Sequence, residues 1–323
     1  MFDQMIKTLK TQNRKIVFTE GTDPRILEAA SRLHTEGILT PILLGTPTEI
    51  KEAATKSGWS VDGIETIDPN NYEEMEDMVS LMVELRKGKM DEASCRAALQ
   101  KSNYFGTMLV KMGKADCLLG GATYSTADTV RPALQLIKTK PGSKIVSSCF
   151  ILYRQSENGT EMYAMADCAI NLDPSEDELV EIAYETARTA KTFSIDPKVA
   201  MLSYSTLGSG KGESVDKVRN ASTKLKSMNL DFPVDGELQF DAAFSPTVAK
   251  TKAPQSAVAG NANVFVFPDI NAGNIGYKIA QRLGGFEAFG PILQGLNAPI
   301  NDLSRGCNAD EVYKMSIITA SLI

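Results

Sequence analysis

The stretch KIVFTEGTDPRILEAASRLHTEG, Lys15 to Gly37, holds a short apolar run followed by an amphipathic one. The first part, KIVFTEG, reads as a buried strand. The second opens with Asp23 as N-cap and Pro24 at the first helical position, where the missing N–H costs nothing. Gly37 stands just past the expected helix end. A buried strand passing directly into a capped helix predicts right-handed β-α-β crossovers and a mainly parallel sheet.

The alternation continues outward from this stretch. TPILLG, IETID and ADCLLGG read as further strands, separated by helices such as NYEEMEDMVSLMVELRKG and TADTVRPALQLIK. A second series begins near Lys144 with KIVSSCFILY, YAMADCAI, KVAMLSYST and ANVFVFPDI. Its clearest helix, SEDELVEIAYETARTAKTF, opens with the capping box Ser175…Glu178. KTKPGSK, rich in Lys, Gly and Pro, marks a boundary between two contiguous halves. In sheets of this kind, ligands sit beyond the carboxyl ends of strands, so the loops there hold the candidate sites.

A chain of 323 residues is long for one core, so two domains are expected. Hydrophobic residues at 43% and charged residues at 23% are ordinary for a globular protein, and no apolar run is long enough to span a membrane. The N-terminus lacks the apolar core of a secretory signal. A net charge of -6 without a basic block argues against nucleic-acid binding. Two or three local arginines could still hold a small anion. The cysteines, Cys95, Cys117, Cys149, Cys168 and Cys307, are scattered and odd in number, which fits a reducing cytoplasm better than a disulfide framework or a zinc site.

The single histidine, His34, falls in an amphipathic helix, so a packing or surface place is expected and no Ser-His-Asp or Cys-His arrangement can be built. STLGSGKGES fails as a P-loop, because Ser205 stands where Gly is needed and Gly212 follows Lys211. Its N–H groups could hold an anion, or it is an ordinary strand-to-helix loop. In GGATYSTADTVRPAL, two glycines end a strand, Ser125, Thr126 and Asp128 are cap-forming residues, and Arg131 lies one turn on. Hydroxyls and an arginine at a helix start are what a phosphate site requires, although the same residues also cap helices for structural reasons. FPDINAGNIGYK reads equally as a ligand loop or a connection, with Tyr277 and Lys278 in the first turns of the next helix. NDLSRGCNADEVYKM sets Ser304-Arg305-Gly306 as a tight turn before a helix capped by Asn308 and Glu311. Arg305 is there well placed to hold an anion.

Taken together, GGATYSTADTVRPALQ, VDGELQFDAA, VFPDINAGNIGYKIAQRLGG and GPILQGLNAPINDLSRGC resemble the phosphate acetyltransferase (phosphotransacetylase) family, in order and over essentially the whole chain. The resemblance implies reversible acetyl transfer between coenzyme A and inorganic phosphate, with acetyl-CoA and acetyl phosphate as the acyl donors. Coenzyme A is then a substrate, no cofactor is tightly bound and no metal is required. It also implies a cytoplasmic homodimer of two doubly wound α/β domains with a cleft between them, similar to the isocitrate and isopropylmalate dehydrogenases. The chain would return to its first domain, giving residues 1–143 plus 299–323 and a second domain of 144–298, in place of contiguous halves. Ser304 and Arg305 match the family's catalytic pair, and Arg131 and Arg86 match its other essential arginines. Ser125, Thr126, Tyr277 and Lys278 are expected to bind substrate. The family's proton acceptor is an aspartate seven residues after the serine; this chain has Glu311 there, with Asp310 as competitor.

The implied chemistry needs no protein nucleophile, since the coenzyme A thiol can attack acetyl phosphate directly. Cys307 is then a small packing residue. A thiol of pKa ~8.5 and a free glutamate of ~4.3 differ by about four units, roughly 5.7 kcal/mol, so proton transfer must be concerted with attack or helped by burial or a positive field. Three other readings share parts of the pattern: a phosphate butyryltransferase, a non-catalytic acyl-CoA or acyl-phosphate sensing module, and a nicotinamide-dependent dehydrogenase. The sensor has no need of an intact Ser304-Arg305 cluster, and the dehydrogenase lacks a G-x-G-x-x-G after a strand.

Overall fold

A computed structural model describes residues 2–157 and 159–323. In chain order the elements begin α1 (Phe2–Leu9), β1 (Lys15–Phe18), α2 (Pro24–Thr35), β2 (Thr40–Leu44), α3 (Pro47–Ser57) and β3 (Glu65–Ile67). They continue with α4 (Met75–Arg86), α5 (Glu92–Leu99), α6 (Ser102–Lys111), β4 (Cys117–Gly120) and α7 (Thr126–Pro132). Next come β5 (Ser147–Ser156), β6 (Gly159–Ala166), α8 (Glu176–Thr192), β7 (Val199–Leu202), α9 (Glu213–Ser227) and β8 (Val234–Leu238). The series closes with α10 (Phe240–Phe244), α11 (Pro246–Lys252), β9 (Val264–Val266), α12 (Ile270–Arg282), β10 (Glu287–Gln294), β11 (Ile300–Asp302) and α13 (Ala309–Ser321). These elements form two α/β units. One runs to Gly142 and resumes at Leu296–Ile323; the other is Ser143–Gly295.

The first unit is a parallel sheet in the order β11-β4-β1-β2-β3. Alternation along its strands buries both faces, as expected where helices cover a parallel sheet on each side. Val17, Ile42, Leu118 and Ile300 meet Phe105 and Met108 of α6 and Met78 and Met82 of α4. Ile16, Phe18 and Leu43 are equally buried and alternate with that set; α2 packs on β2 and α13 on β4. Asp23 caps α2 as expected, accepting from the Arg25 N–H. The capping box Asn308…Glu311 opens α13. The expected helix TADTVRPALQLIK is instead α7 followed by a π-helical turn, Ala133–Ile137. Pro132 supplies no N–H, and the Lys138 N–H reaches back to the Ala133 carbonyl, five residues away.

The sheet of the second unit is also mainly parallel, with an antiparallel arm. Its order is β10-β5-β6-β9-β7-β8. β5 pairs antiparallel with both β10 and β6, while the ladders of β6, β9, β7 and β8 are parallel. For β5 and β6 the cause is local: β5 runs to Ser156 and β6 begins at Gly159, a link too short for a crossover. α8 carries its expected capping box and buries Leu179, Ile182, Ala183 and Ala187. The core gathers Phe150, Leu152, Leu202, Leu238 and Phe265.

Because β11, β4 and β1 are adjacent and parallel, their carboxyl ends open on one edge of the first sheet. Thr19-Glu20, Gly120-Gly121 and Asp302-Leu303-Ser304 therefore lie side by side.

Candidate functional site

Two glycines make this edge compact. A Cβ at Gly120 would overlap the Tyr124 and Thr19 hydroxyls, and one at Gly121, where φ is +97°, would overlap Asp302 Oδ1. Only glycine allows both that backbone and that approach. Glu20 fills the space beside them. Its Oε1 accepts the N–H groups of Gly121 and Thr123 at 3.1 and 3.0 Å, and its Oε2 accepts the Thr19 hydroxyl at 2.8 Å. Thr19 gives its one proton to Glu20, so the Tyr124 hydroxyl, 2.8 Å away, donates to Thr19. Burial raises the Glu20 carboxyl above the usual range, against the pull of these donors.

Arg25, in the first turn of α2, joins the three strand ends. Its Nη1 donates to the carbonyls of Arg305 and Cys307 at 2.9 and 3.0 Å. Its Nη2 donates to the Ala122 carbonyl at 2.9 Å and to Asp23 Oδ2 at 2.7 Å, and its Nε to Asp23 Oδ1 at 2.9 Å. Asp23 answers as a bidentate carboxylate, and its hydrogen bonds from Arg25 outweigh its burial and hold its carboxyl below the usual range. The turn Ser304-Arg305-Gly306 is thus fixed from beneath by its own backbone, while all three residues stay exposed. Ser304 Oγ accepts the Gly306 N–H at 3.3 Å, which leaves its proton free to donate outward.

Asp302 lies under this turn, with 1% of its surface exposed. Thr126 and Thr129 of α7 donate to its two oxygens at 2.6 and 2.5 Å. Burial pushes its pKa up to about 6; the two hydroxyls and the field of Arg305 pull the other way, while Glu20 adds to the rise. Ser125 stands at the N-cap of α7, but its hydroxyl donates to the Asp128 carboxylate at 2.6 Å and accepts no capping backbone N–H. Arg131 is exposed on the same helix.

The carboxylates of α13 have different tasks. Glu311 Oε2 accepts the Asn308 N–H at 2.9 Å, and its own N–H donates to Asn308. Asp310 pairs with Lys314 at 2.9 Å and Arg32 at 3.4 Å, and these partners, Lys314 first, hold it below the usual carboxylate range. Cys307 is buried and its thiol is pushed up to about 11, with Arg25 pulling it down only in part.

Ser304, Arg305, Glu311, Ser125, Thr126 and Arg131 are thus carried on the Asp302-Leu303 strand end and the two helices that follow β4 and β11. Arg86 stands apart at the end of α4, donating to the Met90 sulfur at 3.3 Å. Tyr277 and Lys278 belong to the second unit. Tyr277 stacks on Phe150 at 3.9 Å as part of the core, and Lys278 is exposed above its ring. His34 is half-buried, with its Nε2 close against Gly63. The P-loop-like segment is closed from within: Gly208 N–H donates to Glu237 at 2.7 Å and Gly210 N–H to Ser205 Oγ at 2.8 Å. Arg219 grips the same Glu237 through two nitrogens, so an internal carboxylate takes the place left open for an anion. Among the described residues no group of three His, Cys, Asp or Glu is placed to hold a metal ion. Glu20, Arg25 and Asp302 did not stand out by spacing. The readable signal is a charged residue at the end of an apolar run, as in KIVFTE and APIND.

The match to a family model covers residues 1–320, and that family is described as Phosphate acetyl/butaryl transferase. The phosphate acetyltransferase of Bacillus subtilis (strain 168) is 54% identical over 321 residues, which is 99% of this chain and 98% of the relative. A phosphotransacetylase from Streptococcus pyogenes superposes with a TM-score of 0.96 at 56% identity, covering 99% of this chain and 97% of that one. A candidate 4-hydroxythreonine-4-phosphate dehydrogenase from Salmonella typhimurium shares the fold alone, with a TM-score of 0.51 at 12% identity over 96% and 98% of the two chains.

Arg25→Gln leaves at least one of the three carbonyls unpaired and is expected to lower stability by about 1–3 kcal/mol in urea unfolding. Amide exchange at Cys307, whose N–H bonds to the Ser304 carbonyl, should quicken at the same time. Arg25→Lys should recover only part of this, since an ammonium cannot span the fork. Unchanged stability and exchange in Arg25→Gln would show that the clamp does not hold the turn.

Proposed function

The chain belongs to the Phosphate acetyl/butaryl transferase family, and we propose that it passes an acetyl group between coenzyme A and inorganic phosphate by direct attack of the coenzyme A thiolate on acetyl phosphate. It is a transferase, and acyl transfer between coenzyme A and phosphate is its reaction. The observation that carries the mechanistic reading is the Ser304-Arg305 turn, clamped from below and open above, in a chain matched to the family from residue 1 to 320.

In this mechanism the thiol sulfur forms a bond to the carbonyl carbon, its proton passes to Glu311, and the tetrahedral intermediate collapses by breaking the carbon–oxygen bond to phosphate. Arg305 and Arg131 balance the phosphate charge and the charge that gathers in the transition state. Ser304 donates its hydroxyl proton to the reacting groups. Cys307 takes no covalent part, because a thiol raised to about 11 and turned into the protein is almost wholly protonated at neutral pH. Glu311 is preferred to Asp310 as proton acceptor because Asp310 is already committed to two cations. Side chains one residue apart on a helix diverge by about 100°, so only one of the two can serve the turn. Acetyl is the preferred acyl group, with butyryl as the alternative. Five free, buried thiols fit a reducing, cytoplasmic setting.

We also propose that the protein is a homodimer. α12 and its C-cap expose Ile275, Ile279 and Leu283 at 57%, 52% and 85%, spaced four residues apart. A second copy of the chain is the occupant proposed for that stripe.

Purified protein should convert acetyl phosphate and coenzyme A to acetyl-CoA, followed by thioester absorbance. Faster turnover of butyryl phosphate would move the acyl preference, and no turnover of either would remove the reading. Glu311→Gln should lower kcat by about 10²–10⁴-fold, while Asp310→Asn stays near wild type. The reverse pattern would shift the base by one residue, and two active variants would leave the step without a carboxylate base. In sedimentation, Leu283→Glu should dissociate the dimer; a monomeric wild type, or a dimer untouched by the substitution, would count against the α12 interface.

A further inference from the structure

Asp302 is a buried carboxylate that joins the two parts of this edge proposed to carry the chemistry. On one side it is two residues from Ser304 and within the field of Arg305. On the other it takes hydroxyl protons from Thr126 and Thr129, both on α7, the helix that presents Arg131. Its main chain lies against Gly120 in the β11–β4 ladder, and the next N–H, of Leu303, donates to the Gly120 carbonyl at 2.7 Å. Gly121 leaves the room that Oδ1 needs.

We propose that Asp302 is a positioning residue for acyl transfer: its carboxylate latches the start of α7 to the Ser304-Arg305 turn by accepting both threonine hydroxyls at once. The inference rests on the acyl-transfer reading above. An ionised carboxylate is acceptor-only and can take a donor on each oxygen. Once protonated, one oxygen carries a hydrogen and accepts more weakly, so the threonine bond to it loosens and the latch is half undone. Arg131 and Arg305 then lose their common anchor, and misplacement on the scale of an ångström is costly to a reaction that depends on alignment.

The groups facing Asp302 set where this happens. The loop after β1 presents Glu20, the segment before α7 presents Tyr124, and the turn after β11 presents Arg305. α7 adds Asp128 and Arg131 farther along its surface. The end of β4 and the residue after it offer Gly120 and Gly121, and α13 meets β11 through the uncharged pair Asn301–Thr319. Burial and Glu20 favour the proton, and the two hydroxyls and Arg305 oppose it. The folded pKa, about 6, lies above the ordinary aspartate value. The ionised latch is therefore present above that pH and is lost as pH falls through it.

The test is the dependence of kcat and KM on pH between about 5 and 8, in wild type, Asp302→Asn, Thr129→Val and Glu20→Gln. Wild type should show an acid limb in kcat near 6. Asp302→Asn, which cannot titrate, should lack that limb and have kcat about 10–100-fold lower, with both KM values within about two-fold. Thr129→Val removes one stabilising donor and should move the limb to higher pH. Glu20→Gln removes a like charge and should move it lower. Should Asp302→Asn misfold, the two opposite shifts still decide. An acid limb and kcat in Asp302→Asn equal to wild type, or limbs unmoved in the other two variants, would overturn the proposal. A protein without acyl transfer would fail the parent reading instead. The latch is then judged by infrared difference spectra, in which a protonated carboxyl band should appear near the same pH in wild type and be missing from Asp302→Asn.

Discussion

The guanidinium of Arg25 hands its N–H groups to the carbonyls of Ala122, Arg305 and Cys307, while Asp23 grips it from the side. Those carbonyls belong to the loops after β4 and β11, and Arg25 itself follows β1. Parallel strands alone would bring these loops to one edge but would not fix them, because strand-end loops have no ladder partners of their own. A planar fork with a preset donor geometry does fix them, and it does so through backbone, leaving the side chains of Ser304 and Arg305 free to face outward.

Each of the two units satisfies its loops with internal anions. Glu20 takes the N–H groups of Gly121 and Thr123; Glu237 takes that of Gly208 and is gripped by Arg219. Asp167 does the same in the second unit, receiving the N–H groups of Ala169, Ile170 and Asn171. Each is a buried charge whose cost is offset by donors that would otherwise be orphaned. Asp302 differs from these in being held by two threonine hydroxyls, which can turn, where each of the others also receives backbone amides, which cannot.

Much of the fold was legible because it is written in local chemistry. Asp23-Pro24, Ser175…Glu178 and Asn308…Glu311 each start a helix at the expected place, since a cap is a contact between residues a few positions apart. The antiparallel pairing of β5 with β10 was not legible, because it joins residues 134 to 147 positions apart and leaves no period of its own. The π turn after Pro132 was likewise hidden within a good helical pattern. Of the residues proposed for the site, Ser304, Arg305 and Arg131 were legible through motif. Arg25 and Asp302 were not, because their partners lie 97 to 282 and 173 to 176 positions away. A residue whose meaning lies in a distant carbonyl or hydroxyl looks, in sequence, like any charge at the end of a strand.

The position of β11 has a consequence for how the molecule is made. β4 lies between β1 and β11, and β11 comes from residues 300–302, after the whole second unit. During synthesis the first 142 residues therefore leave the ribosome as a sheet with one edge of β4 unpaired and with no α13 to lie over α2. Throughout the time needed to translate residues 143–295, that open edge can pair with whatever strand it meets. The second unit, uninterrupted, can close first. The two glycines at the end of β4 and the loop that Arg25 will later fasten wait unassembled until the returning strand arrives. This strand-end edge is thus among the last parts of the protein to be assembled, and a nascent chain stalled anywhere before Ile300 holds most of the fold but lacks the Asp302-Ser304-Arg305 side of that edge.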